Sequence, residues 1–210
     1  MNGFQLKSSP IRTIKATHAN FPLNYEQAKY NLIIRNEEIE FDCLGLKLKK
    51  DKSYRISARD LTISEDEYIL QVFYANFEDD LILIFSRSND ENGNIVVCRI
   101  DFMKVLVKWK AELPSMNPSY GIIEGHYLYQ AGVGFISKIN LDSGAFEWKQ
   151  GEIKDPKTGD YFEFNNIVLN KSIVVFFLNK KDNELEKEKT GINVDKMNGK
   201  IISYILPDLP

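Results

Sequence analysis

Short runs of β-branched and aromatic residues, each bounded by turn residues, follow one another along almost the whole chain, and their density constrains the fold more than any other sequence feature. Runs at 30–35, 39–48, 54–58, 68–75, 81–86, 95–102 and 105–110 carry the signature of strands. So do 121–123, 127–130, 134–141, 146–149, 162–164, 167–169, 173–178, 191–194 and 200–205. Helical periodicity is poor throughout, and the best short helix candidate is 24–30, which Asn24 could cap. Asn92-Gly93 and Asn198-Gly199 are hairpin dipeptides, because both residue types tolerate positive φ. The stretches 142–144 and 156–159 serve the same end. Many short strands at close spacing predict an all-β protein.

Composition narrows the class. The 210 residues fit one domain of ordinary size, and 43% apolar content is enough for a core without metals or disulfides. A net charge of -3 is not the basic footprint of a nucleic-acid binder. No run reaches the roughly 20 apolar residues that span a bilayer as a helix. The first 20 residues lack an apolar stretch of signal-peptide length, so the expected location is the cytoplasm. Cys43 and Cys98, the only cysteines, read as buried free thiols.

Self-similarity comes next. The stretch 139–148 runs from Ile139 to Trp148 through Asp142 and Gly144, and 100–109 runs from Ile100 to Trp109 in the same number of steps. A third copy starts at Ile192, passes Asp195 and Gly199, and has Ser203 in place of the tryptophan. A fainter one starts at Ile39. The expected unit is a strand ending in Asp, an Asp side chain accepting from the turn's own N–H groups, a glycine in a left-handed position, and a returning strand with an aromatic between sheets.

The stretch 141–149, LDSGAFEWK, resembles the strand–turn–strand of pyrroloquinoline-quinone-type propeller repeats, and the likeness extends over about Leu81 to Pro210. It implies a propeller-like array of short antiparallel sheets, with a β-sandwich or barrel as the alternative. Quinoprotein dehydrogenases of this type are far larger and are expected to carry a vicinal Cys pair and a calcium site. Neither is found in this sequence, so the resemblance implies the blades and no cofactor. The organisation expected is one domain over 1–210, with a leader at 1–25, a divergent first unit at 26–80 and repeat-like units at 81–210. Trp109, Asp142, Gly144, Trp148, Asp195 and Gly199 are its structural repeat residues.

Catalytic chemistry is sparse. His18 and His126 have no cysteine or histidine at zinc-ligand spacing, and no metal is expected. Gly132-Val133-Gly134 begins like a dinucleotide fingerprint but lacks the third glycine and the helix, and reads as a close backbone approach. Carboxylates cluster at 37–42, 65–67, 78–80 and 90–91, beside expected turns. Two excursions stand out as candidate binding elements. One holds Arg87, Asp90 and Glu91. The other, 180–189, is neutral and densely charged, and supplies Lys180, Lys181, Glu184, Glu186 and Lys187. Seven aromatics are candidates for a binding face: Tyr120, Tyr127, Tyr129, Phe135, Tyr161, Phe162 and Phe164. With no catalytic residue to name, the expected function is a non-enzymatic protein-binding scaffold of the type of a bacterial immunity protein that neutralises a toxin, with another protein as partner and neither nucleic acid nor membrane. A hydrolase using paired carboxylates, and a subunit of a larger repeat assembly, stay open.

Overall fold

A computed structural model of the chain describes residues 11–13, 15–17, 29–35, 38–42, 52–57, 68–88, 93–101, 104, 106–115, 118–119, 121–178 and 190–205. The described residues contain no helix and form four antiparallel sheets. The N-terminal part holds β1 (Ile11–Thr13), β2 (Lys15–Thr17), β3 (Lys29–Arg35), β4 (Glu38–Asp42) and β5 (Lys52–Ser57). There β3 pairs with both β4 and β5 in a three-stranded sheet. The expected helix over 24–30 meets β3 at its last two residues, and the rest of it lies outside the described residues.

Three meanders follow, each of four strands in chain order. The first is β6 (Tyr68–Phe77), β7 (Asp80–Ser88), β8 (Gly93–Asp101) and β9 (Leu106–Leu113). The second is β10 (Ile122–Glu124), β11 (Tyr127–Gly132), β12 (Phe135–Asn140) and β13 (Phe146–Gln150). The third is β14 (Phe164–Leu169), β15 (Ile173–Leu178), β16 (Gly191–Asp195) and β17 (Ile201–Ile205). β6, which the sequence pattern groups with the divergent first unit, pairs with β7 along its length and so belongs to the first meander. Two strands also arise within the expected leader. β2 adds to the edge of β6 and β1 to the edge of β10, so one short segment laces two sheets.

Patterning explains the layering. β7 and β8 are apolar almost without interruption, as strands packed on both faces must be. Ile82, Ile84, Ile95 and Val97 are fully buried, and so are Leu81, Leu83, Phe85, Val96 and Cys98 from the other face of the same strands. β9 alternates exposed with half-buried residues toward its start, as a strand with one wet face does. The first core joins Phe73, Ile82, Ile84 and Val97 of the first meander to Ile123, Leu128 and Ile139 of the second. The second core joins Tyr129, Ile136 and Trp148 of the second meander to Phe164, Val174, Phe176 and Ile192 of the third. The middle sheet is therefore packed on both faces, unlike a sheet of a two-layer sandwich. No closure into a ring or barrel is seen among the described residues.

The last two strands of the three meanders share one geometry. Ile100 pairs with Val107, Ile139 with Phe146 and Val194 with Ile201. Immediately beyond, each ladder slips by a β-bulge, at Arg99/Ile100, Lys138/Ile139 and Asn193/Val194. The bulge sets Arg99 opposite Trp109, Lys138 opposite Trp148 and Asn193 opposite Ser203. This register moves the third anchor from Ile192 to Val194, which places Ser203 as far from its anchor as Trp109 and Trp148 lie from Ile100 and Ile139.

The turns correspond as well. Asn140 Oδ1 accepts from the Asp142 and Ser143 N–H groups at 2.9 and 3.2 Å, and the Gly144 N–H donates to the Asn140 carbonyl at 2.8 Å. Asp195 Oδ1 accepts from Met197 and Asn198 at 2.8 and 3.1 Å, and the Gly199 N–H donates to the Asp195 carbonyl at 2.9 Å. The turn acceptor is thus Asn140, and not Asp142, which the sequence pattern casts in that part. Asp101 opens the equivalent turn of the first meander and accepts from the Lys104 N–H at 3.0 Å.

Candidate functional site

Each tryptophan reaches from its own sheet to the turn of the next. Trp109 Nε1–H donates to the Leu141 carbonyl at 2.9 Å, and Trp148 Nε1–H to the Lys196 carbonyl at 3.1 Å. A Cβ placed on Gly144 would lie 2.7 Å from the Trp109 ring, and one on Gly199 2.6 Å from the Trp148 ring. Both glycines have φ of 75. Left-handed backbone and close indole contact therefore both call for glycine.

At this turn end of the sheets, the seam between the first two meanders gathers charges. Arg99, opposite Trp109, donates through Nη1 to the same Leu141 carbonyl at 2.9 Å and to Asp142 Oδ1 at 3.1 Å. Its Nη2 donates to Glu78 Oε2 at 2.8 Å, and its Nε to Asp80. Lys108 Nζ donates to both Asp80 oxygens at 2.9 and 2.7 Å. Burial would raise the Asp80 carboxyl, but hydrogen bonds and charge from Lys108 and Arg99 more than offset it and hold it below its ordinary value. Burial likewise works against the Arg99 charge, and Asp80, Glu78 and Asp142 outweigh it and raise the guanidinium. A low Asp80 is the reverse of what a general acid needs. Glu78, His126 and Asp142 bring ligand atoms within 4.8 Å of one another. Arg99 nevertheless takes one oxygen from each carboxylate, and His126 Nδ1 sits 2.8 Å from Asp142 Oδ2. The guanidinium charge works against a second cation there.

The next seam repeats the theme with weaker charges. Lys138 Nζ donates to the Lys196 carbonyl at 3.3 Å and lies 4.1 Å from the Tyr127 ring centroid. Lys196 Nζ donates to the Glu124 oxygens at 2.8 and 2.9 Å. The turn end is thus a set of inter-sheet latches whose charges pair with one another.

The opposite end is built differently. Its described connections converge on Val133–Gly134, the turn between β11 and β12. Ser115 Oγ donates to the Val133 carbonyl at 2.9 Å, and Glu163 forms an isolated bridge to Val133. The Gly134 N–H donates to the Phe162 carbonyl at 2.6 Å, and the Ile153 N–H to the Gly134 carbonyl at 3.0 Å. Residues 153–162 close as a small hairpin, with the Phe162 N–H donating to the Ile153 carbonyl at 3.1 Å. Its tip repeats the turn of the other end: Asp155 Oδ1 accepts from Lys157 at 2.7 Å, and the Gly159 N–H donates to the Asp155 carbonyl at 2.9 Å. Ile153 and Phe162 are 5% and 3% exposed and root the hairpin in the second core. Buried Ser119 and Gln130 fasten a further connection, with Gln130 Nε2 donating to the Ser119 carbonyl at 2.9 Å and the Ser119 N–H to the Ala131 carbonyl at 2.8 Å. The close approach expected at Gly134 comes from the Tyr161 ring, which leaves only 2.5 Å to the place a Cβ would take.

Of the candidate binding residues, Arg87 is described: it is mostly buried, and its Nη2 pairs with Glu112 at 2.8 Å. Asp90, Glu91, Lys180, Lys181, Glu184, Glu186 and Lys187 lie outside the described residues. They belong to the connections β7–β8 and β15–β16, which leave their sheets at the end away from the latched turns. Cys98 is a buried free thiol, pushed up to about 12 by burial, and Cys43 lies outside the described residues. Sequence reasoning missed Arg99, Lys138, Ser119 and Gln130. Arg99 and Lys138 carry a signal, since each directly precedes the Ile of a matching stretch, Ile100 and Ile139. Among the described residues no helix is long and apolar enough to cross a membrane. No protein-family model matches the chain, and no curated protein matches it in sequence.

Proposed function

We propose that the chain is a non-enzymatic, protein-binding scaffold of the cytoplasm, built as a propeller-like array and of the immunity type that caps a toxin. The resemblance to quinoprotein-type repeats belongs to this reading. It is supported by the shared bulge, the shared turn and the matching positions of Trp109 over Gly144 and Trp148 over Gly199. The array supplies rigidity, and loops carried on rigid sheets suit recognition.

The observation that carries the reading is the difference between the two ends. At the turn end, Arg99, Lys108 and Lys196 spend their charge on neighbouring carboxylates of the same chain. At the other end, the described connections are tied by hydrogen bonds to Val133–Gly134 while most side chains of 151–161 face solvent. Such an end offers fixed, exposed groups.

The test uses the full chain as bait in the cell that makes it, beside a variant in which Asp90, Glu91, Lys180, Lys181, Glu184, Glu186 and Lys187 are all serine. One protein retained by the first and lost from the second, and rebinding one to one when purified, is the expected result. Toxicity of that protein, relieved by co-expression of the chain, would fix the immunity type. A chain that retains nothing but shows turnover of a glycoside or ester substrate would replace this reading with the hydrolase.

A further inference from the structure

We infer that the hairpin 153–162 is the primary docking element of the loop end, that Tyr161 is its anchor, and that the partner meets it with a basic protein surface. This deepens the binding reading and rests on it. Among the aromatics that could form a binding face, the fold buries Tyr129, Phe135, Phe162 and Phe164, and Lys138 covers Tyr127. Tyr120 lies outside the described residues. Tyr161 stays 44% exposed, on a hairpin whose tip, 156–160, is exposed.

Its ring is fixed before any partner arrives. Gly134, at φ 62, lets the ring lie against the backbone where a side chain would clash. The Tyr161 hydroxyl donates to Glu152 Oε2 at 2.5 Å, and Lys154 Nζ lies 4.4 Å from the ring centroid. Glu152 itself is held at a positive φ of 56, a conformation that persists only where the surroundings enforce it. A tyrosine held this way loses little freedom on binding, and such residues dominate interface energetics.

Charge selects the partner. Glu152, Asp155, Asp160 and Glu163 outnumber Lys154 and Lys157, so the hairpin and its flanks are acidic. The whole chain carries -3. Opposite potentials steer partners together and discriminate against wrong ones.

A photo-crosslinking amino acid at exposed Lys157 of the full chain, activated in the source cell, identifies what touches the hairpin by mass spectrometry. The expected product is one basic protein, which is then purified and titrated against the chain. Tyr161→Ala should weaken its binding about tenfold or more. Asp160→Lys, which leaves the ring and the backbone hydrogen bonds of the hairpin in place, should weaken it several-fold, with the loss shrinking in high salt. Melting curves of both variants separate binding loss from unfolding. A crosslinked partner that is acidic, or Tyr161→Ala and Asp160→Lys variants that bind like the parent, would overturn the inference. If binding then fails on serine replacement of the 180–187 charges, the scaffold reading stands and only the docking element is wrong. If nothing crosslinks and nothing binds, both fall.

Discussion

Gly144, Gly159 and Gly199 share one turn conformation, at φ 75, 79 and 75, and differ in what lies above them. Tryptophan rings lie over Gly144 and Gly199, whereas a Cβ on Gly159 would meet nothing within 4 Å. Alanine at Gly159 should therefore cost about 1 kcal/mol for the left-handed backbone alone. Alanine at Gly144 or Gly199 should cost about 2–3 kcal/mol, since the indole must also move. Denaturant titration of the three variants checks the difference, and equal losses would remove the indole contact from the account. Asp80 contributes to stability against acid. Its folded carboxyl lies below its unfolded value, so its contribution is complete above that value and fades as pH falls through the folded one, below about pH 4. Asp80→Asn should destabilise by about 3 kcal/mol near neutrality, because Arg99 and Lys108 lose a buried partner. It should also flatten the acid limb of a stability-against-pH curve; an unchanged limb would assign acid sensitivity elsewhere. These glycines were legible as turn residues, because glycine beside Asp or Asn has few other uses. The acceptor role of Asn140 was not, since an Asp stood two residues later and either side chain can close such a turn.

At the level of the element, the tryptophans decide how sheets join. Trp148 is 8% exposed and spans the second core to Lys196. Trp148→Ala should cost about 3 kcal/mol through lost packing, and Trp148→Phe about 1 kcal/mol through the lost N–H donor and smaller ring. Thermal melts of the two variants test that order. Nearly all the strands from Tyr68 onward were readable, because β-branched and aromatic runs there are bounded by turn residues. β1 and β2 were not, because three-residue strands hold too few residues to show a period and their pairing with β10 and β6 is set by distant sheets. The bulges escaped notice for a related reason. A slip between facing strands leaves the strand sequences themselves unaltered.

For the whole molecule, the latches run in one direction and stop. The first meander holds the second through Trp109, and the second holds the third through Trp148. In the third, Ser203 and Asn193 occupy the positions of the tryptophan and its basic partner, and Asn193 Nδ2–H donates to Ser203 Oγ at 2.9 Å. At the start, Val105 stands in the sequence where the receiving glycine would be. The correspondence of Trp109 with Trp148 was visible in their spacing from Ile100 and Ile139, but the direction of holding was not, because it depends on which turn each indole reaches across space. The candidate binding end was legible only as charged excursions, since the hub at Val133–Gly134 is made by backbone groups that every residue carries.

Proton NMR of the full chain tests the serial latching most directly. Indole ring currents should shift the α-protons of Gly144 and Gly199 upfield of those of Gly159, and Trp109→Leu should return Gly144 alone, Trp148→Leu Gly199 alone, to the Gly159 position. Three glycines with alike α-proton shifts, unmoved by either substitution, would contradict sheets joined by tryptophan on glycine.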